Sequence, residues 1–165
     1  MGKKFKAGQN GVYPAHGVVE VMGVEEKEIL GSKKSFYILN VLENNVTLMV
    51  PVGNISSVGL RPVVPKKEVK NILDILREED GESPKLGAQS WNKRYKEYAD
   101  KVKSGDIYEI ARVLKDIHHL KKVKNLSFGE KRIMETAVSH IVKELSIALG
   151  KKEESVSVQI QEILS

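Results

Sequence analysis

The chain has 165 residues, of which 41% are hydrophobic and 30% charged, with a formal net charge of +5 and no cysteine. Those values allow one domain or two small ones and exclude a disulfide framework and any thiolate metal site. No apolar run is long enough to span a bilayer and no leader pattern opens the chain, so a cytoplasmic protein without membrane attachment is expected.

From Gly8 to Val64 the hydrophobic pattern has period two and is punctuated by glycine. Gly17 to Gly23, Ser35 to Leu42 and Val46 to Val50 read as strands, because they are rich in β-branched and aromatic residues. Asn44-Asn45 can adopt the left-handed conformations of a tight turn, which pairs the last two strands antiparallel. In the last strand Val46, Leu48 and Val50 share one face, leaving Thr47 and Met49 on the other. So many short strands in so short a stretch predict a small β-barrel or a curved antiparallel sheet. Such a unit is too small for a deep catalytic pocket and suits a protein-binding module.

From Pro65 the period becomes helical, which predicts an α+β chain with an N-terminal β domain at 1–64 and a compact α-helical domain at 65–165. Lys66 to Glu78 carries Val69, Ile72, Leu73 and Leu76 on one side, and Asp80 to Pro84 ends that helix. Ser90 can cap a helix beginning at Trp91, and Ser104-Gly105 stops it. Asp106 with Glu109 spells a capping box, followed by Ile107, Ile110, Ala111, Leu114 and Ile117 at three-and-four spacing. Ser127 with Glu130 repeats the box before a long helix with Met134, Ala137, Val138, Ile141, Leu145 and Ala148 inward. After Gly150 a terminal helix offers Val156, Ile160, Ile163 and Leu164.

The positive charge is concentrated in the helical half, where Trp91 to Arg132 holds twelve basic residues against six acidic ones. Trp91, the only tryptophan, stands beside Lys93, Arg94 and Lys96. A flat apolar ring next to cations can wedge a base step while its neighbours neutralise phosphates. The same ring, in phase with Tyr95, Tyr98 and Val102, can equally begin a core stripe. Lys131 and Arg132 lie in the first turn of the long helix, where the macrodipole disfavours a cation by about 0.3 kcal/mol or more. An anion seated on the amides from Ser127 to Glu130 would reverse that preference, while surface cations tolerated by Glu130 are the simpler alternative.

Catalysis and metal binding find little support. Adjacent His118 and His119 point about 100° apart on a helix, and His140 with Glu144 lacks a third ligand, so neither a metal nor any other cofactor is expected. His16, in Tyr13-Pro-Ala-His-Gly17, reads as a local turn residue. No catalytic residue is assigned and the chain is read as a non-enzyme.

Several motifs together, Tyr13-Pro-Ala-His-Gly17, Val50-Pro51, Val58-Gly-Leu-Arg61, Ser90-Trp-Asn-Lys-Arg-Tyr-Lys96, Ser104-Gly-Asp106 and Leu126-Ser-Phe-Gly-Glu-Lys-Arg132, closely resemble the bacterial CarD/CdnL family of RNA polymerase-binding transcription regulators. The first half is also similar to the Tudor-like polymerase-interaction module of transcription-repair coupling factors. The resemblance implies a β module that grips the lobe of the polymerase β subunit, with Lys27 and Met49 at that contact; relatives can carry arginine where Met49 stands. It implies that Trp91 wedges the minor groove at the upstream edge of the transcription bubble, by the −10 element of promoter DNA. By the same matching Lys93, Arg94, Lys96 and Lys131 would hold the DNA there, and the helix-start argument adds Arg132. The expected protein is a monomeric, cytoplasmic, nucleoid-associated factor that stabilises the open complex. The alternative is a protein–protein adaptor with no direct DNA contact.

Overall fold

A computed structural model describes residues 5–78 and 91–165, apart from the side chains of Ser56, Trp91, Asn92 and Val123. The chain divides into two compact units, Met1–Val63 and Val64–Ser165. The turn expected at Asp80 to Pro84 and the Ser90 cap lie outside the described residues.

The first unit is a five-stranded sheet of β1 (Asn10–Tyr13), β2 (Gly17–Ile29), β3 (Ser32–Val41), β4 (Thr47–Pro51) and β5 (Arg61–Pro62). Its order is β4-β3-β2-β1-β5 and every pairing is antiparallel, so the sheet is open, with β4 and β5 at its edges, and not a closed barrel. Val19, Val21, Leu39, Val41 and Val50 fill its core with Phe5, Tyr37, Ile55 and Leu60. The Phe5 amide donates to the Tyr37 hydroxyl at 3.3 Å, and the two rings meet edge-on with centroids 6.2 Å apart. At Gly11 a β-carbon would stand 3.0 Å from the Arg61 carbonyl oxygen, so β5 can close on β1 only across a glycine.

The Asn44-Asn45 turn forms as the sequence predicts, with Asn45 at φ 59° and the Asn44 side chain accepting the Val46 amide at 3.0 Å. Leu48 and Val50 turn inward while Met49 is exposed; Val46 itself falls just before β4 and is exposed. The β2–β3 hairpin is much longer than expected. Glu25 to Ile29 pair with Ser32 to Phe36 through a two-residue turn at Leu30 (φ 53°) and Gly31 (φ 81°). That arm is exposed along β2, so its residues carry no alternating apolar signal.

The second unit packs α2 (Lys66–Arg77), α3 (Trp91–Lys103), α4 (Ile107–Val123), α5 (Phe128–Leu149) and α6 (Glu153–Leu164); a single turn in the first unit, Ile55–Val58, is α1. Val69, Ile72, Leu73 and Leu76 of α2 meet Ile107, Ile110, Leu114 and Ile117 of α4, and Ile141 and Leu145 of α5, in one apolar core. Asp106 caps α4 by accepting the Tyr108 amide at 2.9 Å and the Glu109 amide at 3.4 Å. The reciprocal half of that expected box is replaced, because the Glu109 carboxylate pairs with Arg112 at 2.7 Å. At α5 the box is complete: Ser127 N–H donates to Glu130 Oε1 at 2.9 Å and Glu130 N–H to Ser127 Oγ at 3.2 Å.

The inner face of α5 is rotated from the expected one, with Ile133, His140 and Glu144 buried and Met134 and Val138 only partly so. A polar demand explains the rotation. The Glu144 carboxylate accepts the Val64 amide at 2.9 Å, tying down the segment that leads into α2.

Candidate nucleic-acid interface

Helix α3 carries the cations beside Trp91, whose backbone opens the helix and whose side chain lies outside the described residues. Lys93 and Lys96 are exposed. Arg94, expected beside them as a phosphate contact, is instead buried at 8% exposure, while Tyr95, expected on the core stripe, is 40% exposed. Both residues flank the stripe, one on either side, and the long Arg94 stem can pack inward where the shorter reach of sequence phase does not foresee it.

Arg94 belongs to a buried polar cluster. Burial raises the Tyr98 hydroxyl to about 12; Asp116 adds to the effect, Arg94 opposes it, and Glu130 from the start of α5 adds again. The phenol is therefore neutral at any physiological pH. Glu130 is fully buried, and its Oε1 meets Lys124 Nζ at 2.9 Å. Desolvation pulls the Glu130 pKa upward, but hydrogen bonds from Lys124 and Ser127 outweigh it and hold the carboxyl below its usual range. Tyr98, at the middle of α3, thus feels the charge of Glu130 in the first turn of α5.

At that first turn Lys131 and Arg132 are exposed. Because the capping box occupies the Ser127 and Glu130 amides, the amides of Phe128 and Gly129 are the ones left without an acceptor among the described residues. The anion seat envisaged over Ser127 to Glu130 is thus narrower than the sequence suggests. The Phe128 ring stands 79% exposed at the same helix start, which the sequence signals only by an aromatic at the first helical position ahead of Gly129. An open groove of about 1220 Å³ runs along α5 and α6, lined by Lys121, Lys124 and Lys131 but also by Glu135, Glu153 and Glu154 and by Met134, Val138 and Val142. Its apolar lining makes a poor track for a polyanion.

In the sheet unit the structure brings Lys27 and Met49 together, Nζ to Sδ at 3.6 Å, both exposed. His16 closes the turn after β1, its amide donating to the Tyr13 carbonyl at 3.0 Å and its ring 5.3 Å from that of Tyr13. His118 and His119 lie with their rings edge-on, 6.4 Å apart, and burial followed by the Lys122 charge lowers the His118 pKa. Among the described residues no three histidine or acidic side chains gather as a metal site, and no helix is long and apolar enough to cross a membrane.

The family model for the CarD C-terminal domain matches residues 71–161. The chain belongs to the CarD family. A second model, the CarD-like/TRCF RID domain, matches residues 5–64, so CarD-type modules account for both halves of this CarD-family chain. A Bacillus subtilis relative named "Putative transcription factor YdeB" is 36% identical over 152 residues, covering 92% of this chain and 97% of its own. CdnLNt from Myxococcus xanthus is 47% identical, covering 39% of this chain and 90% of its own, with a TM-score of 0.33. The N-terminal domain of Myxococcus xanthus CarD is 31% identical, covering 38% of this chain and 83% of its own, with a TM-score of 0.31. The protein is accordingly a CarD-family transcription factor.

Proposed function

We propose that this protein tethers itself to the β-subunit lobe of bacterial RNA polymerase through its sheet unit and stabilises the promoter open complex through its helical unit. In this reading Lys27 and Met49 lie at the polymerase contact, and Trp91 props apart the upstream edge of the bubble. Lys93 and Lys96 from α3, with Lys131 and Arg132 from α5, contact the backbone, and Arg94 holds α3 in place from beneath. The observation that carries the reading is the set of exposed lysines that α3 and α5 each display in their first turns, in a chain whose C-terminal half matches the CarD domain. The factor acts as a cytoplasmic, nucleoid-associated monomer.

The mechanism is differential binding. A ring that fits a distorted junction better than intact duplex shifts the equilibrium toward melted DNA by as much as its preference between the two. Few phosphates are engaged, so affinity for free DNA is weak and falls by about 0.9 log units per log of salt for each one neutralised. The polymerase tether supplies the effective concentration that makes so weak a contact count.

The test is the lifetime of a competitor-challenged open complex with the full chain carrying Trp91→Ala. The expected result is a lifetime shortened about tenfold, corresponding to about 1.4 kcal/mol of lost preference, with polymerase binding and thermal stability retained. An unchanged lifetime removes the wedge. Absence of any salt-dependent DNA affinity in the unaltered chain, with polymerase binding retained, points instead to a protein-only adaptor.

A further inference from the structure

Strand register places two lysines directly opposite each other, Lys27 on β2 and Lys34 on β3. Both are exposed, and among the described residues neither has a carboxylate partner; Lys27 reaches only the thioether of Met49. Like charges at a directly paired position repel, with β-carbons about 5 Å apart, so the pair works against the hairpin that carries it. Alternation puts Ile29, Phe36, Ile38 and Met49 on the same face of the sheet, with Ile29 and Met49 each 41% exposed. The core residues Tyr37, Leu39 and Val50 occupy the opposite face.

The chemistry of this face selects its partner. Glu20 and Glu25 lie on it too, cross-paired with Asn40 and Phe36, so the face offers an extended phosphate backbone no continuous positive track and concentrates its cations at one point. Two ammonium groups one strand apart, beside a methionine and an isoleucine, suit a single carboxylate set in an apolar surface. We propose that Lys27 and Lys34 form a two-cation clamp for a carboxylate of RNA polymerase, bordered by Ile29 and Phe36 on the same face and by Met49, which Lys27 touches. This rests on the polymerase reading above and deepens it, because Lys34 becomes a specificity residue whose role is visible only in the register.

Lys34→Glu in the full chain, titrated against purified core RNA polymerase, provides the test. In the free protein the new glutamate faces Lys27 and replaces repulsion with attraction, so the melting temperature holds or rises, while polymerase affinity falls about tenfold. Lys34→Met, which adds no negative charge, loses affinity in the same direction. Affinity of both variants within about twofold of the unaltered chain overturns the clamp. Loss confined to Lys34→Glu overturns it as well, since repulsion by the introduced carboxylate is then the whole effect. If the unaltered chain fails to bind core polymerase, the polymerase reading itself falls and the clamp with it.

Discussion

The two units handle charge in opposite ways. In the helical unit Lys101 and Arg112 meet Glu109, Lys115 meets Glu78, Lys124 meets Glu130 and Lys143 meets Glu153. In the sheet unit, Lys27 and Lys34 instead face each other across two strands. A raw count of basic residues therefore overstates the cations the helical unit can offer to DNA and overlooks the few in the sheet unit that are held against repulsion. Of the twelve basic residues between Trp91 and Arg132, Arg94 is buried and at least four, Lys101, Arg112, Lys115 and Lys124, are engaged in ion pairs among the described residues.

The most forceful way to break this contrast is at Glu130, where internal neutralisation is deepest. Glu130→Ala removes a fully buried carboxylate, its bond to Lys124 and half of the capping box of α5. Deleting one member of a buried pair and weakening a cap together should destabilise the helical unit by about 3 kcal/mol, read as a lowered denaturant midpoint. The pH dependence follows the same group. Because the folded protein holds Glu130 below its ordinary 4.5, its contribution is present above that pH and is lost as pH falls through the lower folded value. Glu130→Gln should flatten the acid limb of the stability curve, and an unchanged acid limb would show that other carboxylates govern it.

A second comparison sharpens which cations face outward. Lys131→Ala should leave stability almost unchanged but reduce the salt slope of DNA binding by the full chain by about 0.9, one phosphate's worth. Arg94→Ala should do the reverse, lowering the melting temperature with the slope intact, because its side chain is buried and its charge acts on Tyr98. Equal slopes in all three proteins would mean that Lys131 touches no phosphate.

Local chemistry was legible in the sequence wherever a residue acts on its own neighbours. Asp106, the Ser127–Glu130 box, the Asn44-Asn45 turn and the α2 stripe are written in a few consecutive residues, and they form. Features set by distant partners were not legible. The α5 face is turned by Glu144 reaching Val64, eighty positions away along the chain. Arg94 and Tyr95 exchange sides because adjacent positions straddle the edge of a helical stripe, where phase alone cannot choose between a long cation and an aromatic. Of the candidate site, the sequence named the exposed Lys93, Lys96, Lys131 and Arg132, yet Lys34 emerged only once strand pairing was known.

The smallest expected effect concerns the tip of the same hairpin, which the sequence did not foresee. Leu30 occupies a left-handed conformation at φ 53° and is fully exposed, so it pays backbone strain without burying its side chain. Asparagine tolerates that conformation better and, ahead of Gly31, completes the Asn-Gly pair favoured in turns where both central residues have positive φ. Leu30→Asn should therefore stabilise the sheet unit by about 0.5 kcal/mol, measurable as a slightly raised unfolding midpoint. A loss of stability would mean that the leucine is held by contacts the isolated turn does not reveal.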